Sequence, residues 1–317
     1  MSQQNCNTGM VDLGQACVEA FLVPNKLIAV QTYDSTGEPN EIDGTLTLDK
    51  AYFIARLNDT DLSKRWQVLP EMKNITDQRA NPEFQTWNDG SKSFINQGIR
   101  EFTGISIGTT GSAPQLEGKL NAMRGVGVSF FVIDKFGNLQ GKVGSSATKL
   151  APIEAESDTI YAILGKTQDK AVRQIMFGFD FAITEKDSEL RMIKASEMAY
   201  NPNKLVGVVD VSSETSNITN TSFTVKLYTD GGSLLTPVLV QGLAITDFVS
   251  SDTDTPSRFY DETDDGDVTI TGMTESPAGY YNFTFTSTPY PDYLVVKPVQ
   301  NGFDFTAVEA NKVQMPD

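Results

Sequence analysis

The 317-residue sequence predicts a mainly β protein in two parts, an antiparallel sheet with a few short helices followed by a second, all-β sandwich. Three observations predict it. Residues 173–184 alternate apolar with small or polar side chains in period two, as a half-buried strand does. A Gly-containing turn at Asp134–Asn138 separates two apolar runs, as in a β-hairpin. Beyond Asn203 helical periodicity vanishes, and short alternating stretches recur among Ser, Thr, Asp and Gly.

The elements follow in order. "KLIAVQTYD" (26–34) reads as a strand ending in a turn. "TLDKAYFIARLND" (47–59) sets Leu48, Tyr52, Ala55 and Ala51 on one side behind Thr47 or Asp49 as a cap, so a helix is expected. "SAPQLEGKLNAMR" (112–124) spaces Leu116, Leu120 and Met123 at i, i+4 and i+7 behind Ser112 and Pro114, a second short helix. "VSFFVIDKFGNLQGKVG" (128–144) is the hairpin. The strand at 173–184 has Ile175, Phe177, Phe179, Phe181 and Ile183 as its core face, with Gln174, Gly178, Asp180, Ala182 and Thr184 on the other. An acidic turn, Glu185–Glu189, follows it.

In the last third, strands are expected at 222–228, 237–245, 267–274, 279–288 and 292–299. Roughly 100 residues of short alternating strands read as a sandwich of immunoglobulin type. The expected organisation is an extension (1–20), a first domain (21–203), the immunoglobulin-like sandwich (204–305) and a tail (306–317). A length beyond about 250 residues agrees with more than one core.

Composition narrows the function. The chain has no histidine, which removes the commonest general base, every Ser-His or Cys-His nucleophile pair and imidazole metal ligation together. No phosphate loop, nucleophile elbow or dinucleotide fingerprint occurs in its required strand-to-helix context, so neither an enzyme nor a cofactor is expected. Glu101, Asp134, Asp180 and Glu185 are carboxylates that no spacing singles out as an acid–base pair. Cys6 and Cys17, the only cysteines, read as free thiols, and no metal set is expected. "DETDDGD" (261–267) gathers carboxylates with a glycine, but it lacks the spacing of a calcium loop and reads as a solvated acidic turn.

No run approaches the ~18 apolar residues of a membrane span, and Met1–Cys17 shows no secretory pattern, so neither membrane association nor export is expected. From Lys204 onward five basic residues face sixteen acidic ones, a net −11 of the chain's −16, which gives no support for nucleic-acid affinity. "KRWQVLPEMKNITDQR" (64–79) balances its cations with Glu71 and Asp77 and reads as an interface loop or plain surface. Trp87 fits either a contact with a neighbouring subunit or the core.

The stretches "LDKAYFIARLNDTDLSKRWQVLPEMKNITDQRANPEFQTWNDGSKSFINQGIREFTG" (48–104), "LEGKLNAMRGVGVSFFVIDKFGNLQG" (116–141) and "FDFAITEKDSELRMIKASEM" (179–198) together resemble a group of virion structural proteins of tailed phages and prophages of Bacteroidetes. The most specific parts are Asp89-Gly90, the run Gln97–Gly104, the Ile133–Asn138 turn and the acidic turn before Leu190. The resemblance implies a sandwich or barrel-like tail-tube-type domain that forms a ring of six or twelve copies. It also implies a place in the virion tail after assembly in the host bacterial cytoplasm, other tail or neck proteins as partners, and double-stranded DNA passing without specific binding. In that setting Gln174, Gly178, Asp180, Ala182 and Thr184 are expected to line the channel or an interface, with the acidic turn at a rim. Two alternatives stay open: a capsid decoration or head-fibre protein whose sandwich meets host surface or glycans, and a carbohydrate-binding module using Tyr280, Tyr281, Tyr290 and Tyr293.

Overall fold

A computed structural model describes residues 23–59, 61–107, 113–165, 174–219, 221–232 and 235–248, then 259–261, 266–267, 270–285, 293–294, 299–300 and 303–304. Cys6, Cys17, Tyr290, the two terminal segments and residues 262–265 of the acidic turn lie outside the described residues. The chain opens with β1 (Pro24–Gln31), β2 (Ile42–Asp43), α1 (Lys50–Leu57), β3 (Gln67–Val68), β4 (Met72–Arg79), β5 (Glu83–Thr86), β6 (Lys92–Asn96) and β7 (Arg100–Ile107). It continues through α2 (Ala113–Ala122), β8 (Val128–Asp134), β9 (Leu139–Val143), β10 (Lys149–Ala151), β11 (Ile153–Glu154), β12 (Tyr161–Gly165), β13 (Gln174–Asp180) and β14 (Leu190–Ile193).

Two antiparallel sheets face each other here. The first has the order β2-β10-β9-β8-β1-β3, with β11 also on β8 and β14 on β9, and the second has the order β12-β13-β7-β4. They are joined at two corners. The segment β3–β4 pairs with β1 in the first sheet, turns at Leu69-Pro70-Glu71 and pairs with β7 in the second. On the other side β11 pairs with β8 while Ala155 bridges to Phe181. The expected charged loop at 64–79 is therefore corrected: Trp66 is 2% exposed in the core, and Met72–Arg79 is a strand.

The first sheet is a middle layer. One face contributes Leu27, Phe130 and Val132 to a core shared with Ile175, Phe177 and Phe179 of the second sheet. The opposite face packs Ile28, Phe131 and Ile133 against Phe53, Leu57 and Trp66. With both faces covered, every residue of β8 is buried, and Ser129 within it shares a 2.8 Å hydrogen bond with the Thr32 hydroxyl. The turn after β8 forms as expected. Buried Asp134 accepts hydrogen bonds from the Phe136 and Asn138 backbone N–H groups and from Asn138 Nδ2.

Both expected helices form, with one correction of face. Asp49 caps α1 by accepting from Tyr52 N at 2.8 Å, and the buried side chains are Phe53 and Leu57, while Ala51 and Ala55 face solvent. The aromatic cluster of Tyr52, Phe53 and Trp66 rotates the helix to that side. Asp49→Ala is expected to lower stability by about 1 kcal/mol, measured as a shift of the urea midpoint followed by tryptophan fluorescence. On α2, Leu120 is buried, and Leu116 and Met123 pack against the shared core.

The remaining strands are β15 (Val209–Thr219), β16 (Ser222–Gly232), β17 (Pro237–Leu239), β18 (Phe259–Asp261), β19 (Gly266–Asp267), β20 (Ile270–Glu275), β21 (Tyr280–Phe285), β22 (Tyr293–Leu294), β23 (Val299–Gln300) and β24 (Phe303–Asp304). Helix α3 (Ile245–Phe248) follows β17. One sheet runs β20-β21-β16-β15-β24-β23 with β17 also on β16, and a smaller one runs β19-β18-β22. The alternating sets Phe223, Val225, Leu227 and Tyr281, Phe283, Phe285 form the core, as their period requires. The expected strand at 237–245 stops at Leu239, and Val240 and Leu243 reach the core from irregular backbone. Buried Tyr281 holds that backbone by donating to Val240 O at 3.0 Å and accepting from Leu243 N; burial pushes its phenol up to about 12. The change of core falls between Val208, which packs with Trp66 and Val68, and Val211, beyond the expected division at 203/204.

Candidate assembly surfaces

Strand β13 presents two faces. Ile175, Phe177, Phe179 and Phe181 are each at most 2% exposed and lie in the shared core. Ile183 is a correction: it is 55% exposed. The strand ends at Asp180, and after the Phe181 bridge the chain turns, with Ala182 N bonded to Glu154 O and Glu185 N to Ala182 O, so the alternation stops before Ile183.

The other face of β13 carries Gln174, Met176, Gly178 and Asp180, while Ala182 and Thr184 lie past the strand. Register places these side chains in rows across the second sheet. Ile163, Met176 and Ile105 form an apolar row that ends at Lys73. Tyr161, Gly178, Thr103 and Thr76 form the next, and Asp180, Glu101 and Gln78 the third. Gly178 is buried because the Tyr161 ring lies on it; a Cβ there would stand 2.6 Å from the phenol oxygen. The face is thus more apolar than its small and polar residues suggest, since Ile163 is 50% exposed.

Asp180 and Glu101 oppose each other directly, an unfavourable pairing of like charges. Burial and then the Glu101 charge raise the Asp180 carboxyl, and burial followed by both carboxylates raises the Tyr161 phenol. Because the folded state holds the Asp180 proton more tightly than the unfolded chain, this contribution is most favourable below about pH 3.9 and is lost as pH rises through the raised value. Asp180→Asn is therefore expected to stabilise the protein at pH 7, with solvent screening holding the gain to about 1 kcal/mol or less. Melting curves at pH 7 and pH 3.5 check this, the gain shrinking at the lower pH.

The edges of the second sheet differ. At β12 the Asn121 side chain donates to Ala162 O and accepts from Ala162 N, and Arg124 Nε donates to Ile160 O, so helix α2 occupies that edge. At the other side β4 ends the sheet and runs on into the β5–β6 hairpin. Among the described residues this hairpin pairs only with itself. Phe84, Trp87, Phe94 and Ile95 are 51–61% exposed; Phe84 and Phe94 meet edge to face on one side, and Trp87 Nε1 donates to Ser93 Oγ on the other. Trp87 is therefore not part of the core.

The base of this arm is fixed. Arg79 donates to Gly98 O, Glu185 O and both Asp187 carboxylate oxygens, and Arg100 pairs bidentately with Asp77 over the Phe181 ring. Gly98 is required by close approach, because a Cβ there would stand 2.1 Å from Ala80 O. The acidic turn belongs to the same support: Glu185 is buried against Lys142, and Asp187 pairs with Arg79. Of the four carboxylates weighed in the sequence, Asp134 and Glu185 hold turns, and only Asp180 and Glu101 are brought together.

An apolar groove of about 490 Å³ opens between β3, α2 and the segment leading into β15. Leu62, Trp66, Val68, Leu116, Leu120, Met123, Val126 and Val208 line it, with Arg65, Lys119 and Asp210 as its charged members. Lys119 meets Asp210 at 2.6 Å across it. The groove has no single sequence signal, since its walls come from elements far apart in the chain. Among the described residues no helix is long and apolar enough to cross a membrane. No protein-family model and no curated protein matches the chain.

Proposed function

We propose that this protein is a phage virion structural subunit, of the tail tube or of a neck or tail ring, which homo-oligomerises around a channel for DNA. The observation that carries the reading is the second sheet: one face is packed on its own core and the other is uncovered among the described residues, with apolar, small and acidic rows and Lys73 as the one ammonium in those rows. A wall of that composition repels phosphate or leaves it unbound, which avoids the counterion-release binding of a basic lining. Gln174, Met176, Gly178 and Asp180 face the channel in this reading. Six or twelve copies close the ring, and the acidic C-terminal part is an immunoglobulin-like sandwich carried outside it. Helix α2 at the β12 edge makes neighbours meet there through side chains rather than by extending the ladder.

The test is electron microscopy of the purified full chain. Rings or tubes with a central hole are expected, and gold placed on a cysteine introduced at Gln174, with Cys6 and Cys17 replaced by serine, should label the inner wall. Label on the outer surface would overturn the channel assignment. Attachment to capsid shells without ring formation would support a decoration protein instead.

A further inference from the structure

We infer that the β5–β6 arms of neighbouring copies stack face to face, the Phe84–Phe94 side of one on the Trp87 side of the next, an inference that rests on the reading of the chain as a self-assembling subunit. Register assigns the faces: Phe84, Thr86, Lys92 and Phe94 share one, and Gln85, Trp87 and Ser93 share the other. A two-stranded hairpin alone is at best marginally stable in water, and here every residue of both strands except Asn96 is exposed, with aromatic rings on both faces. Exposed apolar side chains clustered in this way mark an interaction site. A single flat partner would cover one face and leave the other in water. Pairing the arms edge to edge would leave both faces in water. Copies of the arm on either side cover both, because each arm offers its neighbour the opposite face.

Charge and spacing fix the offset. Along the ribbon the Phe84–Phe94 pair lies three residues before Trp87, and Lys92, opposite Thr86, lies three residues before the level of Asp89 in the turn. Sliding one arm by three residues, about 10 Å, toward the tip of the next seats the two phenylalanines on Trp87 and brings the Lys92 ammonium to Asp89 in the same step. Neither charge has an ion-pair partner among the described residues. Asp89 is held in the turn by the Ser91 hydroxyl and N–H, which lower its carboxyl below the ordinary value and keep it an anion. Two-fold packing of like faces would instead set phenylalanines on phenylalanines and leave Trp87 uncovered in both copies. A contact between two different faces is heterologous, so it propagates into a ring or a stack.

Cross-linking between two variants tests this, each with Cys6 and Cys17 replaced by serine. One chain carries Lys92→Cys and the other Asn88→Cys beside the tip carboxylate, both exposed positions whose change should leave the melting temperature within a few degrees. An equimolar mixture treated with a short bismaleimide is expected to give a covalent dimer of one chain of each kind, while either chain alone gives none. Adding Trp87→Thr to both chains, which keeps a good strand former at that position, should abolish the product. If the wild-type chain assembles and the mixture gives no dimer, if either chain alone cross-links as well as the mixture, or if the dimer survives Trp87→Thr, the staggered stacking is overturned and the ring reading survives. If the wild-type chain itself stays monomeric at the highest concentration tested, the ring reading falls and the stacking with it.

Discussion

Phe179→Ala is expected to cost about 3–5 kcal/mol, enough to unfold much of the N-terminal part at 37 °C. Phe179 is the centre of the aromatic core. Its ring stacks on Phe130 of the first sheet at 4.3 Å and on Phe102 of the neighbouring strand at 5.3 Å, and Phe181 meets it edge-on at 5.0 Å. Removing it leaves a void bounded by strands of both sheets, whose registers are fixed by their ladders, so collapse into the space is limited. Ile183→Ala, two side chains further along the same alternation, should change stability by no more than about 0.5 kcal/mol, because Ile183 faces solvent. Urea titration followed by tryptophan fluorescence separates these outcomes cleanly. The only tryptophans are Trp66 and Trp87, so the signal reports the N-terminal part without the C-terminal sheets. Equal losses for the two variants would mean that β13 continues past Asp180 in solution.

The contrast between Phe179 and Ile183 shows what period-two reading contains. Alternation identifies a face while the strand lasts; it cannot show where the ladder ends, and here a bridge to Ala155 and a turn stop it. The same rule worked for Phe223–Leu227 and Tyr281–Phe285, where large apolar side chains mark every inward position. It missed β15, the eleven-residue strand at 209–219, because Ser, Thr and Glu fill most of its positions and only Val211 is fully buried. It missed β4 for a related reason. The charged side chains of Met72–Arg79 suggested surface, yet Asp77 and Arg79 are consumed by Arg100 and Asp187, and a bulge at Asn74 and Ile75 opposite Gly104 breaks the alternation. Local turn chemistry was fully legible, since Asp134 and Asn138 satisfy each other within five residues. The candidate surfaces were not, because they depend on which strands are neighbours. Trp87 was visible as an aromatic; its place on an arm with Phe84 and Phe94 is a property of the hairpin register.

Lys142→Met is expected to destabilise the N-terminal part by about 3–5 kcal/mol, whereas the double variant Lys142→Met with Glu185→Leu should recover most of the loss. The Glu185 side chain is 5% exposed, and Lys142 Nζ is its charged partner; Glu154 N adds only a long contact at 3.3 Å. Withdrawing the ammonium leaves a carboxylate in low dielectric, and that uncompensated burial, rather than the loss of a favourable pair, sets the size of the effect. The double variant removes both charges and replaces them with apolar volume, so it separates the two causes. The pair also bears on the arm. Glu185 O accepts from the Arg79 guanidinium, which in turn holds Gly98 O at the base of the arm, so the Lys142 ammonium fixes the arm's exit through two intermediates. The double variant should therefore melt near the wild-type temperature yet loosen the arm's base, read as faster amide hydrogen exchange over residues 79–98. If exchange there is unchanged, the arm is positioned by Arg79, Asp187, Asp77 and Arg100 alone, and Glu185 serves only the core.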